Sequence, residues 1–185
     1  AIPTVTAPVN LKATYGDTLA DVTLLDGWSW KDAETSVGNA GEQTFAAIFT
    51  PSDSANYRTV EKDVTITVAK KEVTEPVASG SYTYTGDEQT VILSGVESFM
   101  TVSGNKATNA GNYVVTVTLD DNHKWNASSD GEIEWSIAKA DMSADITADG
   151  YNRVFDNQAH TISVDIPEGA SVKYGTADGT YELDD

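Results

Sequence analysis

The run Asn109-Ala110-Gly111-Asn112-Tyr113 has a near copy at Asn39-Ala40-Gly41, followed by Phe45, and the two alanines stand 70 residues apart. A fixed period of this size constrains the fold more than any local propensity, because each repeat is one supersecondary unit and the architecture must repeat with it. Two further landmarks keep the register. Tyr15-Gly16-Asp17 matches Tyr84-Thr85-Gly86-Asp87, and Val68-Ala69-Lys70 matches Ile137-Ala138-Lys139, each at 69 residues. A third copy begins near Tyr151, where Phe155-Asp156-Asn157-Gln158-Ala159 echoes Tyr84 to Gln89, with Phe155 lying 71 residues after Tyr84. The expected organisation is one module over residues 1–71, a second over 72–140, and the front part of a third over 141–185.

The residues within each copy read as strand. No long window carries apolar residues at helical spacing, and Gly, Asn, Asp and Thr interrupt the chain at short intervals, the rhythm of an all-β sandwich or barrel. Ile2 to Leu11, with Pro3 and Pro8, suits an edge strand or lead-in. Leu19 to Leu25 is expected as a strand, and Asp26-Gly27 as a turn. Trp28 and Trp30 share a face if that segment is extended. Thr44 to Thr50 and Asp63 to Ala69 complete the first module, with Val64, Ile66 and Val68 inward. In the second, Tyr82 to Thr85, Thr90 to Leu93 and Ser98 to Val102 are short strands and Tyr113 to Leu119 a long one. Asp120 to Gly131 is expected as an acidic loop, and Glu132 to Ala138 as the closing strand with Ile133, Trp135 and Ile137 inward. Lys70 to Pro76 and Ala140 to Asp149 read as junctions. Val154 to Phe155, Thr161 to Ile166 and Ala170 to Tyr174 read as first strands of the third copy. That copy lacks its later strands, so it is expected to be ordered by packing on the second module or on a neighbouring molecule. The fold class is therefore all-β, as tandem small β-sandwich modules with the third incomplete. A β-grasp-like module is the alternative, since about 70 residues is short for seven strands, and a helix crossing a sheet would mark it.

Composition removes several classes of function. The chain has no cysteine, which excludes disulfides, thiolate metal sites and cysteine nucleophiles. Asp plus Glu number 29 against 11 Lys plus Arg, for a formal charge of −18. The acid increases along the chain, from −3 over residues 1–71 to −7 over 72–140 and −8 over 141–185. Such a field repels nucleic acid and anionic lipid, so neither is expected as a partner. No apolar run has the length of a membrane span, and direct membrane insertion is not expected. Residue 1 is Ala, and the sequence reads as a segment of a longer chain whose signal and anchor lie elsewhere.

Few residues suggest chemistry. His123 and His160 fall in different modules, no nucleophile-elbow spacing accompanies them, and no catalytic role is assigned. Asp120, Asp121, Asn122, Asn126, Asp130 and Glu132 supply oxygen ligands for calcium but lack the alternate-residue spacing of a dedicated calcium loop. Asp178, Asp184 and Asp185 are weaker still, and no metal or cofactor is assigned. The lysines near strands, Lys12, Lys70 and Lys139, suggest no Lys–Asn isopeptide bond, because a charged lysine is rarely buried unpaired. Trp28, Trp30 and Trp125 are the candidate ligand face, where indole rings would stack on sugars; Trp135, in an alternating strand, is assigned to the core.

With these landmarks aligned, the chain resembles a known class. Tyr84-Thr85-Gly86-Asp87-Glu88-Gln89-Thr90, Asn109 to Tyr113 and Trp135-Ser136-Ile137-Ala138-Lys139-Ala140 resemble the tandem Ig-like, MBG-type ("mostly beta, glycine-rich") repeats of bacterial, mainly Gram-positive, cell-surface proteins. Module one is similar to a sister repeat through Tyr15-Gly16-Asp17-Thr18-Leu19, Gly27-Trp28-Ser29-Trp30 and Phe49-Thr50-Pro51. Phe155 to Val164 and Val172-Lys173-Tyr174-Gly175 resemble the start of another. The resemblance implies an extracellular, often wall-attached protein in which such modules act as stalks or spacers and pack on neighbouring repeats. Its alternative implication is an adhesive module that captures a host glycan or protein. The class carries no catalytic residues, so an enzyme is not expected.

Overall fold

A computed structural model describes residues 2–142, 147–150, 154–158, 163–166, 170 and 172. The chain is all-β and sandwich-like. Its strands are β1 Leu11–Thr14, β2 Trp28–Trp30, β3 Gly41–Phe49, β4 Val60–Ala69, β5 Lys71–Val73, β6 Val77–Ser79, β7 Tyr82–Thr83 and β8 Gln89–Thr90. They continue as β9 Ile92–Ser94, β10 Met100–Ser103, β11 Lys106–Ala107, β12 Gly111–Leu119, β13 His123–Trp125, β14 Glu132–Ala138, β15 Thr147–Asp149 and β16 Ser163–Asp165. Among the described residues the one helical element is a 3-10 turn, Leu19–Asp21, so no helix crosses a sheet.

The sequence repeat becomes a repeat of topology. One four-stranded sheet has the order β1-β4-β3-β2 and the other β7-β14-β12-β10, so each opening strand lies parallel to the closing strand and beside its antiparallel partner. The landmarks hold equivalent places. Gly41 opposes Val68 in β3–β4, and Gly111 opposes Ile137 in β12–β14. The Tyr15 amide donates to Ala69 O at 2.9 Å, and the Tyr84 amide to Ala138 O at the same distance.

Each sheet buries one face. Period-two alternation buries Val64, Ile66 and Val68 of β4, and Ile66 and Val68 meet Ala13, Leu19, Val22 and Val37. In the second module Val115 and Val117 face inward with Ile133, Trp135 and Ile137, while Val114 on the other face stays exposed. Short ribbons, β6 with β9 and β8 with β11, supply the covering layer through Ala78, Leu93, Ala107 and the buried Val91. Each copy therefore owns a small core.

Several segments differ from expectation. Leu19 to Leu25 is not a strand. Leu19 and Val22 are buried three residues apart on the 3-10 turn, and the Asp21 carboxylate accepts from both the Thr18 amide at 2.8 Å and the Thr18 hydroxyl at 3.0 Å. Asp120 to Gly131 is not all loop, because β13 lies within it, paired in parallel with β5. The junction segments themselves carry short strands: Lys70 to Pro76 contains β5, and Ala140 to Asp149 contains β15, which forms an antiparallel pair with β16. Ile2 to Val9 forms no strand; β1 starts at Leu11 and is the edge of its sheet. Val154 and Phe155 are exposed and outside any strand, and Tyr151, Ala159, Thr161 and most of Ala170 to Tyr174 lie outside the described residues.

Ile66 is wholly buried at the centre of the first core. Ile66→Ala is expected to cost roughly 2–5 kcal/mol of stability in the first module, measured by urea denaturation, and to leave the second module's packing unchanged in the amide spectrum.

Candidate functional site

The described residues concentrate their long-range polar contacts where the two modules meet. β4 ends at Ala69 and β5 begins at Lys71, so one residue separates the strands of the two copies. β5 then pairs with β13, with the Lys71 amide donating to Asn122 O at 2.9 Å and the Asn126 amide to Val73 O at 3.0 Å. This parallel ladder carries the loop before β13 back onto the end of the first module.

Asn122 makes the crossing. Its Oδ1 accepts from the Ala40 amide at 2.9 Å, and its Nδ2 donates to Asn39 Oδ1 at 3.2 Å. Its own amide donates to Asp120 Oδ1 at 3.0 Å, closing an Asx turn. The repeated Asn-Ala-Gly landmark is thus a receptor turn, held on its own side by Gln43 Nε2 donating to Asn39 O at 3.0 Å.

Beside Asn122 stands the buried His123, 7% exposed. Its ring stacks on Phe99 at a centroid distance of 3.7 Å, and Tyr15 of the first module meets it edge-on at 5.2 Å. Nδ1–H donates to Asp120 Oδ1 at 2.6 Å. That hydrogen bond is the main reason the Asp120 carboxyl lies below its ordinary value. Desolvation opposes it, and the Asn122 amide acts in the same direction as the imidazole hydrogen bond. Gly131, at φ +82°, closes the loop behind: a Cβ there would lie 2.5 Å from Val117 O and 2.7 Å from Trp125 Nε1, so glycine is required.

A cavity of about 690 Å³ opens along this junction, lined by Lys71, Glu72, Glu97, Phe99, Met100 and His123 among others. Glu72 is engaged by Lys124 at 2.9 Å. Among the described residues no three His, Asp or Glu side chains stand together as a metal site. Of the oxygen groups in Asp120 to Glu132, Asn126 Oδ1 accepts from the Ser128 amide at 3.0 Å and Asp130 Oδ1 from the Glu132 amide at 2.9 Å. His160, Asp178, Asp184 and Asp185 lie outside the described residues.

The tryptophans divide between the modules. Trp28 and Trp30 are neighbours on β2, both half-buried. Trp28 tilts against Phe49 at 5.5 Å, and Trp30 meets Phe45 edge-on at 6.4 Å while its indole N–H donates to Val22 O at 2.9 Å. Trp125 packs against the second core, and Trp135 is buried within it. Every described lysine is exposed. Sequence does not single out as a group the residues that join the modules, Asn122, His123, Asn39, Ala40 and Tyr15. Their one signal in the sequence is that Tyr15 and Asn39-Ala40 are repeat landmarks. The chain matches no known family and no curated protein.

The linkage of Asp120 has a definite sign. A carboxyl whose folded-state pKa is depressed contributes stability above its ordinary value of 3.8, and that contribution is lost as pH falls through the lowered value. Wild type is therefore expected to exceed Asp120→Asn in stability at pH 7, with the difference closing as pH falls through the lowered Asp120 value in denaturation experiments run across the acid range.

Proposed function

We propose that these modules are spacer repeats of a large bacterial cell-surface protein, holding a functional end at a set distance from the cell. The observation that carries this reading is the junction: two copies of one topology are joined by a single residue and by side-chain contacts from Asn122 and His123 to Asn39, Ala40 and Tyr15. A spacer needs each unit to carry its own core and each joint to resist bending, and repeat arrays meet both needs through nearest-neighbour interfaces. The resemblance to MBG-type surface repeats and the strong negative charge, which keeps an extended exposed array from associating, support the same reading. No catalysis is part of it.

The test is mechanical. The chain stretched by its ends is expected to unfold in two discrete steps. Each should release a module of about 70 residues, or roughly 230–250 Å of contour at about 3.3–3.6 Å per residue. Gradual yielding without steps would show that the copies are not separate load-bearing units, and would contradict a spacer.

A further inference from the structure

We infer that the far end of the second module, formed by Tyr84, Asn109 and Ala110, is a docking socket for a further module of this repeat, which would insert a loop bearing a side-chain amide followed by a planar ring. The inference rests on the spacer reading and names the partner and the surface through which the array extends.

In the first module the receptor consists of Tyr15, Asn39 and Ala40, and all three are occupied by Asn122 and His123. The second module builds the same receptor in the same register. Tyr84 takes the place of Tyr15, its amide bonded to Ala138 O as that of Tyr15 is to Ala69 O, each at 2.9 Å. Asn109-Ala110 precedes Gly111 as Asn39-Ala40 precedes Gly41, and each glycine opposes the equivalent residue of the closing strand. The turn is braced from its own sheet in both copies. Tyr113 Oη donates to Asn109 O at 2.6 Å where Gln43 Nε2 donates to Asn39 O.

The difference is occupancy. Tyr84 is 42% exposed and meets no other ring among the described residues, whereas Tyr15 is half-buried against His123. Among the described residues the Asn109 side chain and the Ala110 amide make no hydrogen bond, although their counterparts at Asn39 and Ala40 are both engaged. Asn122-His123 is the one Asn-His pair in the sequence and is committed to the first junction. The occupant therefore comes from another module, and the contacts of Asn122 define what it must present: an amide oxygen to the Ala110 N–H, an amide N–H to Asn109 Oδ1, and a ring against Tyr84.

Amide hydrogen exchange tests the socket on the 185-residue chain and on a lengthened chain in which a second copy of residues 71–139 follows Lys139. In the lengthened chain the Ala110 amide is expected to exchange about tenfold or more slowly, and to revert when the added copy carries Asn122→Ala. A second measurement requires no added module to fold. The labelled 185-residue chain is titrated with the peptide Leu119–Trp125, and shifts are expected at Ala110 and Tyr84 but not at the occupied Ala40. A response of Ala110 in either experiment supports the socket, and no response in both overturns it. Ala40 separates the two readings. If its amide is unprotected in the parent chain, the first junction is absent and the spacer reading fails with it. If Ala40 is protected while Ala110 responds to nothing, the socket alone is wrong.

Discussion

The relation between the two modules depends on one side chain. Asn122 uses its amide N–H, its carbonyl, its Oδ1 and its Nδ2 at once: on Asp120, Lys71, Ala40 and Asn39. One of these bonds fixes its own loop, one ties that loop to β5 and two cross to the Asn39-Ala40 turn, so the residue that orients the loop also clamps it. A neutral hydrogen bond contributes only about 0.5–1.5 kcal/mol net, but a half-buried donor left unpaired costs more. The contact therefore acts mainly by making misaligned arrangements of the modules expensive. His123 adds the apolar part. Its ring fills the space between Phe99 and Tyr15, and the Asp120 carboxylate fixes which nitrogen carries the proton.

The joint can be small because each copy is self-sufficient. A unit of about 70 residues buries a modest core, and here each sheet covers one face with its own short elements. The covering differs between copies: a 3-10 turn and loop in the first, two ribbons in the second. The central sheets, by contrast, correspond strand for strand. Sequence drift has thus been tolerated in the covering layer, while the strands that carry the receptor turn keep their register. Trp28 and Trp30 of β2 correspond in the ladder to Met100 and Val102 of β10, so even the edge strand changes its residues without changing its place.

What could be read from the sequence followed the range of the interactions. β14 was legible to its last residue because Ile133, Trp135 and Ile137 alternate with Glu132, Glu134 and Ser136 along a strand whose period needs no partner to be seen. The segment from Leu19 misled because Leu19, Val22 and Leu24 suit a short strand as well as a turn, and the Thr18–Asp21 hydrogen bonds decide between them. β13 was illegible for another reason. His-Lys-Trp has no strong strand preference, and it is extended because β5, some fifty residues earlier, offers it a ladder. Asn122 reads as one more oxygen in an acidic loop until the chain brings Asn39, 83 residues away, to within 3.2 Å. The landmark Asn-Ala-Gly was visible from the start, but its role as a receptor depends on what reaches it from the next copy.

The central claim is that the contacts made by Asn122 and His123 join the two modules into one body. Backbone ¹⁵N relaxation, measured on wild type and on Asn122→Ala, tests it most directly. The account predicts one common tumbling time for residues of β3, β4, β12 and β14 in wild type, and shorter, unequal times in the variant while both sheets stay folded. Two independent tumbling times in wild type, or a variant that tumbles as rigidly as wild type, would contradict it.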